Sequence, residues 1–190
     1  MIDKRSMALI ITTRRLWLCT LEESDAALVL SYYKRNLEHF RKTMPAYSRG
    51  FFTERFHYKT LYQQKKEMKE QRLFKFWIFL RDEGDQIIGD VSLSNIVRGP
   101  LQAAFLGYKL DSSFEGKGYM RESLEAIINF GFNTLHLHRI EANIMPANKR
   151  SLRLILSLGF QRDGYTESYL KIDGSWQGHY RYSLINPADL

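Results

Sequence analysis

Two glycines one residue apart, Gly116 and Gly118, lie in the run Glu115-Gly116-Lys117-Gly118 just ahead of a helical pattern. With no Cβ in the way, such a corner lets the backbone come close to a ligand. The first amides of the helix, those of Lys117, Gly118, Tyr119 and Met120, then lack intrahelical partners and converge where the helix dipole favours an anion. A phosphate or diphosphate suits that chemistry, and the same pair also suits a tight turn with no ligand. Two phosphate motifs are excluded. Nothing matches the GxxxxGK[ST] loop, and the dinucleotide fingerprint GxGxxG would need a glycine where Arg121 stands.

Three elements must hold that corner. Leu101 to Leu110 is a short apolar and aromatic run that reads as a strand. Met120, Leu124, Ile127, Ile128 and Gly131 share one helical face, so a strand, a glycine turn and an amphipathic helix follow one another. His138 to Met145 then alternates, with Ile140, Ala142 and Ile144 on one face and Arg139, Glu141, Asn143 and Met145 on the other. A crossover helix between two strands makes them parallel, and two parallel neighbours that diverge open a slot beside the turn. Pro146-Ala147-Asn148 starts a further helix with apolar Leu152, Ile155, Leu156 and Leu158, ended by Gly159. Asn148 as its N-cap places Ser151 on the first turn.

The run GYKLDSSFEGKGYMRES is similar to the acetyl-coenzyme A loop of the GNAT acetyltransferases, whose pattern is (Q/R)xxGx(G/A) between a central strand and a helix. Gly116 and Gly118 match the last two fixed positions, and Ser113 stands where the pattern has Gln or Arg. IIGDVSLSNIVRG, HRIEANIMPANKRS, LGF and YLKIDGSWQGH extend the likeness in order over almost the whole chain. It is closest to the ribosomal-protein-alanine N-acetyltransferases of the RimJ type, which acetylate the N-terminal alanine of a small-subunit ribosomal protein.

The resemblance implies an α+β GNAT fold, mixed in α/β character. Its centre is a mostly antiparallel twisted sheet of about seven strands with one splayed parallel pair, flanked by helices. It implies acetyl-CoA as co-substrate and no metal. The pantetheine arm would pair with Gly107, Tyr108, Lys109 and Leu110, and the diphosphate would sit on Glu115, Gly116, Lys117, Gly118, Tyr119 and Met120. Asn148 would hold the coenzyme and Ser151 would hydrogen-bond its thiol end. The first helices would border the acceptor's entrance, which makes Tyr32, Tyr33, His39 and Phe40 candidates for acceptor contact or for packing.

At 190 residues and 22.4 kDa the chain fits one domain, 1–190, long enough for a substantial core. Hydrophobic residues at 44% and charged ones at 26% describe a globular protein without repeats, low-complexity tracts or a membrane-spanning run. Arg14 and Arg15 interrupt the apolar N-terminal stretch, which reads as a first strand, Leu9 to Thr20, rather than a secretion signal. The single cysteine, Cys19, rules out an internal disulfide, suits a reducing cytoplasm and reads as a buried structural thiol. A net charge of +7 favours anionic partners, coenzyme phosphates or ribosomal RNA among them.

The remaining elements follow in order. Leu21 to Asp25 supplies acidic residues for a helix through Tyr33, with further helices at Leu37 to Lys42 and Thr53 to Gln71, the last with a solvated Lys/Glu face. Leu73 to Arg81 and Gln86 to Val97 are strands around the turn 82–85, and Arg98-Gly99-Pro100 turns the chain into the central strand. Phe160 to Ile172 and Trp176 to Leu184 form a closing hairpin across Asp173-Gly174-Ser175.

Acetyl transfer from a thioester to an amine needs a neutral amine, a stabilised oxyanion and a proton for the thiolate. No covalent nucleophile is required. A protein α-amine, with pKa near ~8, needs less help than a lysine near ~10.4. Ser151 is the candidate for the thiolate proton, and a backbone amide near Leu110 for the oxyanion, by family geometry. For the base, the strand after LGF offers Glu167, beside Ser168 at a position often acidic in the RimJ type, with Glu141 and His179 as alternatives. The leading expectation is an N-terminal acetyltransferase acting on an Ala-first ribosomal protein, as a monomer or homodimer, with possible ribosome association. Small amines such as polyamines or aminoglycosides are a second reading, and a non-catalytic RNA-binding protein a third.

Overall fold

The computed structural model describes residues 9–82 and 84–189; residues 1–8, Glu83 of the expected 82–85 turn and Leu190 lie outside the described residues. The strands are β1 (Ile10–Thr12), β2 (Leu16–Cys19), β3 (Leu73–Leu80), β4 (Gly89–Val97), β5 (Ala103–Leu110), β6 (Arg139–Ile144), β7 (Gln161–Ile172) and β8 (Ser175–Ile185). The helices are α1 (Ala26–Arg35), α2 (Leu37–Arg41), α3 (Glu54–Lys69), α4 (Tyr119–Asn129) and α5 (Lys149–Ser157). The strands form one sheet in the order β1-β2-β3-β4-β5-β6-β8-β7.

Eight strands, where the resemblance implies about seven, arise because the first apolar stretch reverses on itself. The Thr13 N–H donates to the Leu16 carbonyl at 2.9 Å and its hydroxyl accepts from the Leu16 N–H at 3.0 Å. That closes a turn, so β1 and β2 pair antiparallel where one strand was expected.

All neighbours are antiparallel except β5 and β6. Those two meet only at Ala103↔Arg139, Ala104↔Ile140 and Phe105↔Glu141, and beyond Phe105 they part. The last five residues of β5 therefore keep β4 on one side and lose their partner on the other. This wedge is the feature that the site uses.

Side-chain alternation gives each face of the sheet its own core. On one face β3, α1, α2 and α3 bury Trp77, Phe79, Tyr32, Tyr33, Phe40 and Leu61. The other buries Leu124 and Ile127 of α4 and Ile155 of α5 against Leu93, Ile140 and Phe160. Leu124, Ile127 and Ile155 are 0% exposed, and burying each is worth roughly 1.5–3 kcal/mol. The core under α4 and α5 takes residues from each of β3, β4, β5 and β6, so the wedge opens from a packed centre.

Candidate active site

Gly116 and Gly118 adopt φ of 76° and 79°, left-handed values that favour glycine, and Gly118 is the N-cap of α4. Among the described residues, none accepts a hydrogen bond from the backbone N–H of Lys117, Gly118, Tyr119 or Met120. Those donors lie at the positive end of an 11-residue helix. The corner is braced from the turn between β1 and β2. Arg15 Nε donates to Glu122 Oε2 at 2.7 Å, its Nη1 donates to the Lys117 carbonyl at 3.0 Å, and its guanidinium lies 4.6 Å from the Tyr119 ring centre. Glu122 also accepts from the Thr13 hydroxyl at 2.6 Å and the Arg15 N–H at 2.7 Å. Burial pushes its carboxyl upward, yet these donors together hold it below the usual glutamate value.

A cavity of about 530 Å³ runs from this corner into the wedge. Tyr108, Lys109, Leu110, Glu115, Gly116, Gly118, Tyr119, Met120, Asn148 and Ser151 all line it. Gly107 and Lys117 are not in its wall: a Cβ on Gly107 would stand 2.9 Å from Ser92 Oγ, and the Lys117 ammonium lies 5.2 Å from the Phe114 ring centre. His39, Phe40 and Thr43 close one side from α2 and the segment after it, and Arg121, Lys149 and Arg150 supply cations.

At the base of the wedge α5 meets β5. Asn148 caps α5 by accepting the Ser151 N–H at 3.1 Å, the geometry expected from the Asn-x-x-Ser spacing. The Ser151 hydroxyl is hydrogen-bonded to the Tyr108 hydroxyl. Burial pushes the Tyr108 phenol up to about 12, so it keeps its proton at any working pH. Asp111, just past β5, gives its N–H to the Ile88 carbonyl at 2.8 Å, toward β4. By strand alternation the N–H of Leu110 then faces the opened side, beyond the last residue that pairs with β6.

Charges around the cavity are organised in pairs. Glu115 is ion-paired with Arg150 and lies 3.3 Å from His39 Nε2, so its carboxylate is offset rather than left to oppose an anion at the corner. Burial and then the Arg150 charge hold His39 below the ordinary imidazole value, leaving it neutral at pH 7. On the far side of β5, Asp90 is 1% exposed and accepts from Lys75 at 2.6 Å and Lys109 at 3.2 Å, with the Tyr32 hydroxyl 3.2 Å away. Burial works against the Lys109 ammonium, yet Asp90 holds it above the usual lysine value.

The residues expected as bases lie elsewhere. Glu141 is paired with Arg139 at 2.7 Å, at the last position where β6 meets β5. Glu167 is exposed and sits in a bulge: Thr166 pairs with His179 and Leu170 with Gln177, so Glu167, Ser168 and Tyr169 face Gly178 alone. Ser168 has a left-handed φ of 48°, and simple in-and-out alternation does not hold there. His179 is 3% exposed, with Nδ1 3.0 Å from the Gln177 carbonyl. Neither Glu141, Glu167 nor His179 borders the cavity, and Ser168 does not either.

Sequence reasoning missed Arg15, Arg150 and the Tyr108 hydroxyl as parts of the site. The Arg14-Arg15 pair was visible only as a charge interrupting a strand. The Asn-x-x-Ser pattern marked Ser151 but carried no sign of which strand residue would meet it.

Residues 15–161 match the Acetyltransferase (GNAT) domain. The chain is 37% identical over 182 residues to the [Ribosomal protein uS5]-alanine N-acetyltransferase of Escherichia coli strain K12, covering 93% of this chain and 91% of that protein. Among solved structures, the ribosomal-protein-S5-alanine acetyltransferase of Vibrio fischeri superposes with a TM-score of 0.89 at 35% identity, over 94% of this chain and 97% of that one. Mycobacterium smegmatis RimJ, solved in complex with CoA-disulfide, shares the fold with a TM-score of 0.87 at 24% identity, over 95% and 88% of the two chains. The chain belongs to the GNAT acetyltransferase family and is an acetyltransferase.

Proposed function

We propose that this enzyme transfers acetyl from acetyl-CoA to the N-terminal α-amine of a ribosomal protein that begins with alanine, in the cytoplasm. The observation that carries the reading is the cavity of about 530 Å³ that joins the unpaired amides of Gly118, Tyr119 and Met120 at the glycine corner to the hydroxyls of Tyr108 and Ser151. One end suits a diphosphate, the other a thioester. Support for the coenzyme comes from the mycobacterial neighbour solved with a CoA-disulfide, and for the acceptor from the named activity of the Escherichia coli relative.

In this reading the diphosphate rests on the amides of Lys117 to Met120 and the pantetheine arm extends β5 into the wedge along Gly107 to Leu110, with Asn148 beside it. The neutral amine attacks the thioester carbon and a C–N bond forms. The N–H of Leu110 meets the oxyanion. The C–S bond then breaks with its electron pair passing to sulfur, and the proton that nitrogen gives to water is matched by one delivered to sulfur through the Ser151 hydroxyl. The positive end of α5 favours charge on the departing sulfur. No acyl-enzyme forms.

Steady-state acetylation of an Ala-first peptide, the same peptide with a blocked N-terminus, and spermidine tests this. Turnover of the free Ala-first peptide alone is expected. Turnover of spermidine alone assigns a small-amine acceptor, and no turnover beside salt-sensitive RNA binding assigns a binding protein.

A further inference from the structure

The hydroxyl pair at the base of the wedge carries a role for Tyr108 that goes beyond lining the pantetheine path. Tyr108 is on β5 and Ser151 on the first turn of α5, 43 residues apart, and each hydroxyl has the other as its hydrogen-bond partner. Both border the cavity. Two hydroxyls sharing one bond have two hydrogens, so one hydrogen remains for a ligand. Which residue keeps it decides which one can serve the leaving sulfur.

A phenol is the more acidic partner and the better donor, and an alkyl hydroxyl the better acceptor. The Ser151 main chain is already fixed, because its N–H is held by Asn148. Its side chain retains one free variable, the direction of the O–H. If Tyr108 donates, the Ser151 hydrogen is turned away from the phenol oxygen and out into the cavity, and the accepted bond polarises the Ser151 O–H.

We propose that Tyr108 is a positioning residue: its hydroxyl donates to Ser151 Oγ and thereby turns the Ser151 hydrogen toward the sulfur of the thioester. This rests on the reading of Ser151 as the group that serves the departing sulfur. Tyr108 itself keeps its proton throughout and touches no reacting atom. The wedge brings the pair together because β5, freed from β6 after Phe105, leaves Tyr108 facing the start of α5.

Single-turnover acetyl transfer at saturating acetyl-CoA tests this with Tyr108→Phe, Ser151→Ala and the double variant, alongside calorimetric CoA affinity. Phenylalanine preserves the ring, so CoA affinity is expected to stay within about twofold. Ser151→Ala should slow transfer on the order of 100-fold. Tyr108→Phe should slow it roughly 5-fold, the share of one hydrogen bond. The double variant should be no slower than Ser151→Ala, because Tyr108 has nothing left to orient. A Tyr108→Phe rate equal to wild type, with Ser151→Ala impaired, overturns the proposal and leaves the Ser151 reading standing. A double variant slower than Ser151→Ala by the full Tyr108 factor also overturns it, since Tyr108 would then act on its own. Full activity in Ser151→Ala removes the Ser151 reading and this proposal with it.

Discussion

Arg15 Nε and Glu122 Oε2 lie 2.7 Å apart, joining the turn before β2 to the first turn of α4 across 107 residues of chain. The same guanidinium donates to the Lys117 carbonyl at the middle of the glycine corner. The corner's shape is therefore set from outside its own loop. Arg15→Met should weaken CoA binding roughly fivefold through loss of these partly exposed hydrogen bonds, with little change in thermal stability. Calorimetry reads the affinity, and an unchanged value would mean that the loop holds its shape without the brace.

Gly118 offers a charge test at fixed backbone. Asn and Asp tolerate its φ of 79° at a cost of about 1 kcal/mol, and they are close in shape while differing in charge and in the N–H donors of the amide. Gly118→Asp should reduce CoA affinity by more than about 100-fold, with Gly118→Asn several times milder, since only Asp sets a carboxylate against the diphosphate. Circular dichroism should show both variants folded. Equal affinities for the two would count against an anion at this corner.

Asp90 contacts both Lys75 and Lys109. Asp90→Asn keeps the shape and leaves two partly buried ammonium groups facing a buried neutral amide. Breaking a buried pair this way costs about 3–5 kcal/mol, which urea unfolding would read as a lower midpoint with an unchanged slope. A loss below about 1 kcal/mol would show that water reaches the lysines.

Asp111 gives a prediction in pH. Burial pushes its carboxyl upward, but Asn36, the Arg35 guanidinium and the Ser113 N–H hold it below the ordinary aspartate value. As pH falls, the unfolded chain takes up this proton first, near ~3.9, while the native form resists. The stabilisation is thus complete above that pH and is lost as pH falls through the depressed native pKa. Urea midpoints should fall below about pH 4 in the wild type. Asp111→Asn should be less stable at neutral pH and show a shallower acid decline, and parallel curves would remove Asp111 from the acid transition.

Local patterns in the sequence marked β5, β6, α4 and α5, because each carries its own period and its own end signals: Gly118 at the start of α4, Asn148 at the start of α5, alternation through Ile140, Ala142 and Ile144. The parallel pairing followed from chain connectivity alone. The reversal at Thr13 was not legible, since it depends on a side-chain hydroxyl and carries no glycine or proline. Nor was the bulge at Ser168, where a serine takes a backbone conformation that sequence patterns assign to glycine or asparagine. The far wall of the cavity comes from His39, Phe40 and Thr43, some seventy residues before β5 ends, and no local signal ties them to it. Tyr108 and Ser151 illustrate the general limit: each position was marked for the coenzyme, but their mutual contact exists only once the wedge has formed.

In the proposed reading, free amides at the glycine corner hold the coenzyme's diphosphate and so deliver the thioester to Ser151. A crystal structure with bound acetyl-CoA measures this directly. Diphosphate oxygens within about 3 Å of the backbone nitrogens of Lys117 to Met120, with the sulfur facing Ser151 Oγ, is the predicted result. A fully occupied coenzyme whose diphosphate lies away from that corner would contradict it.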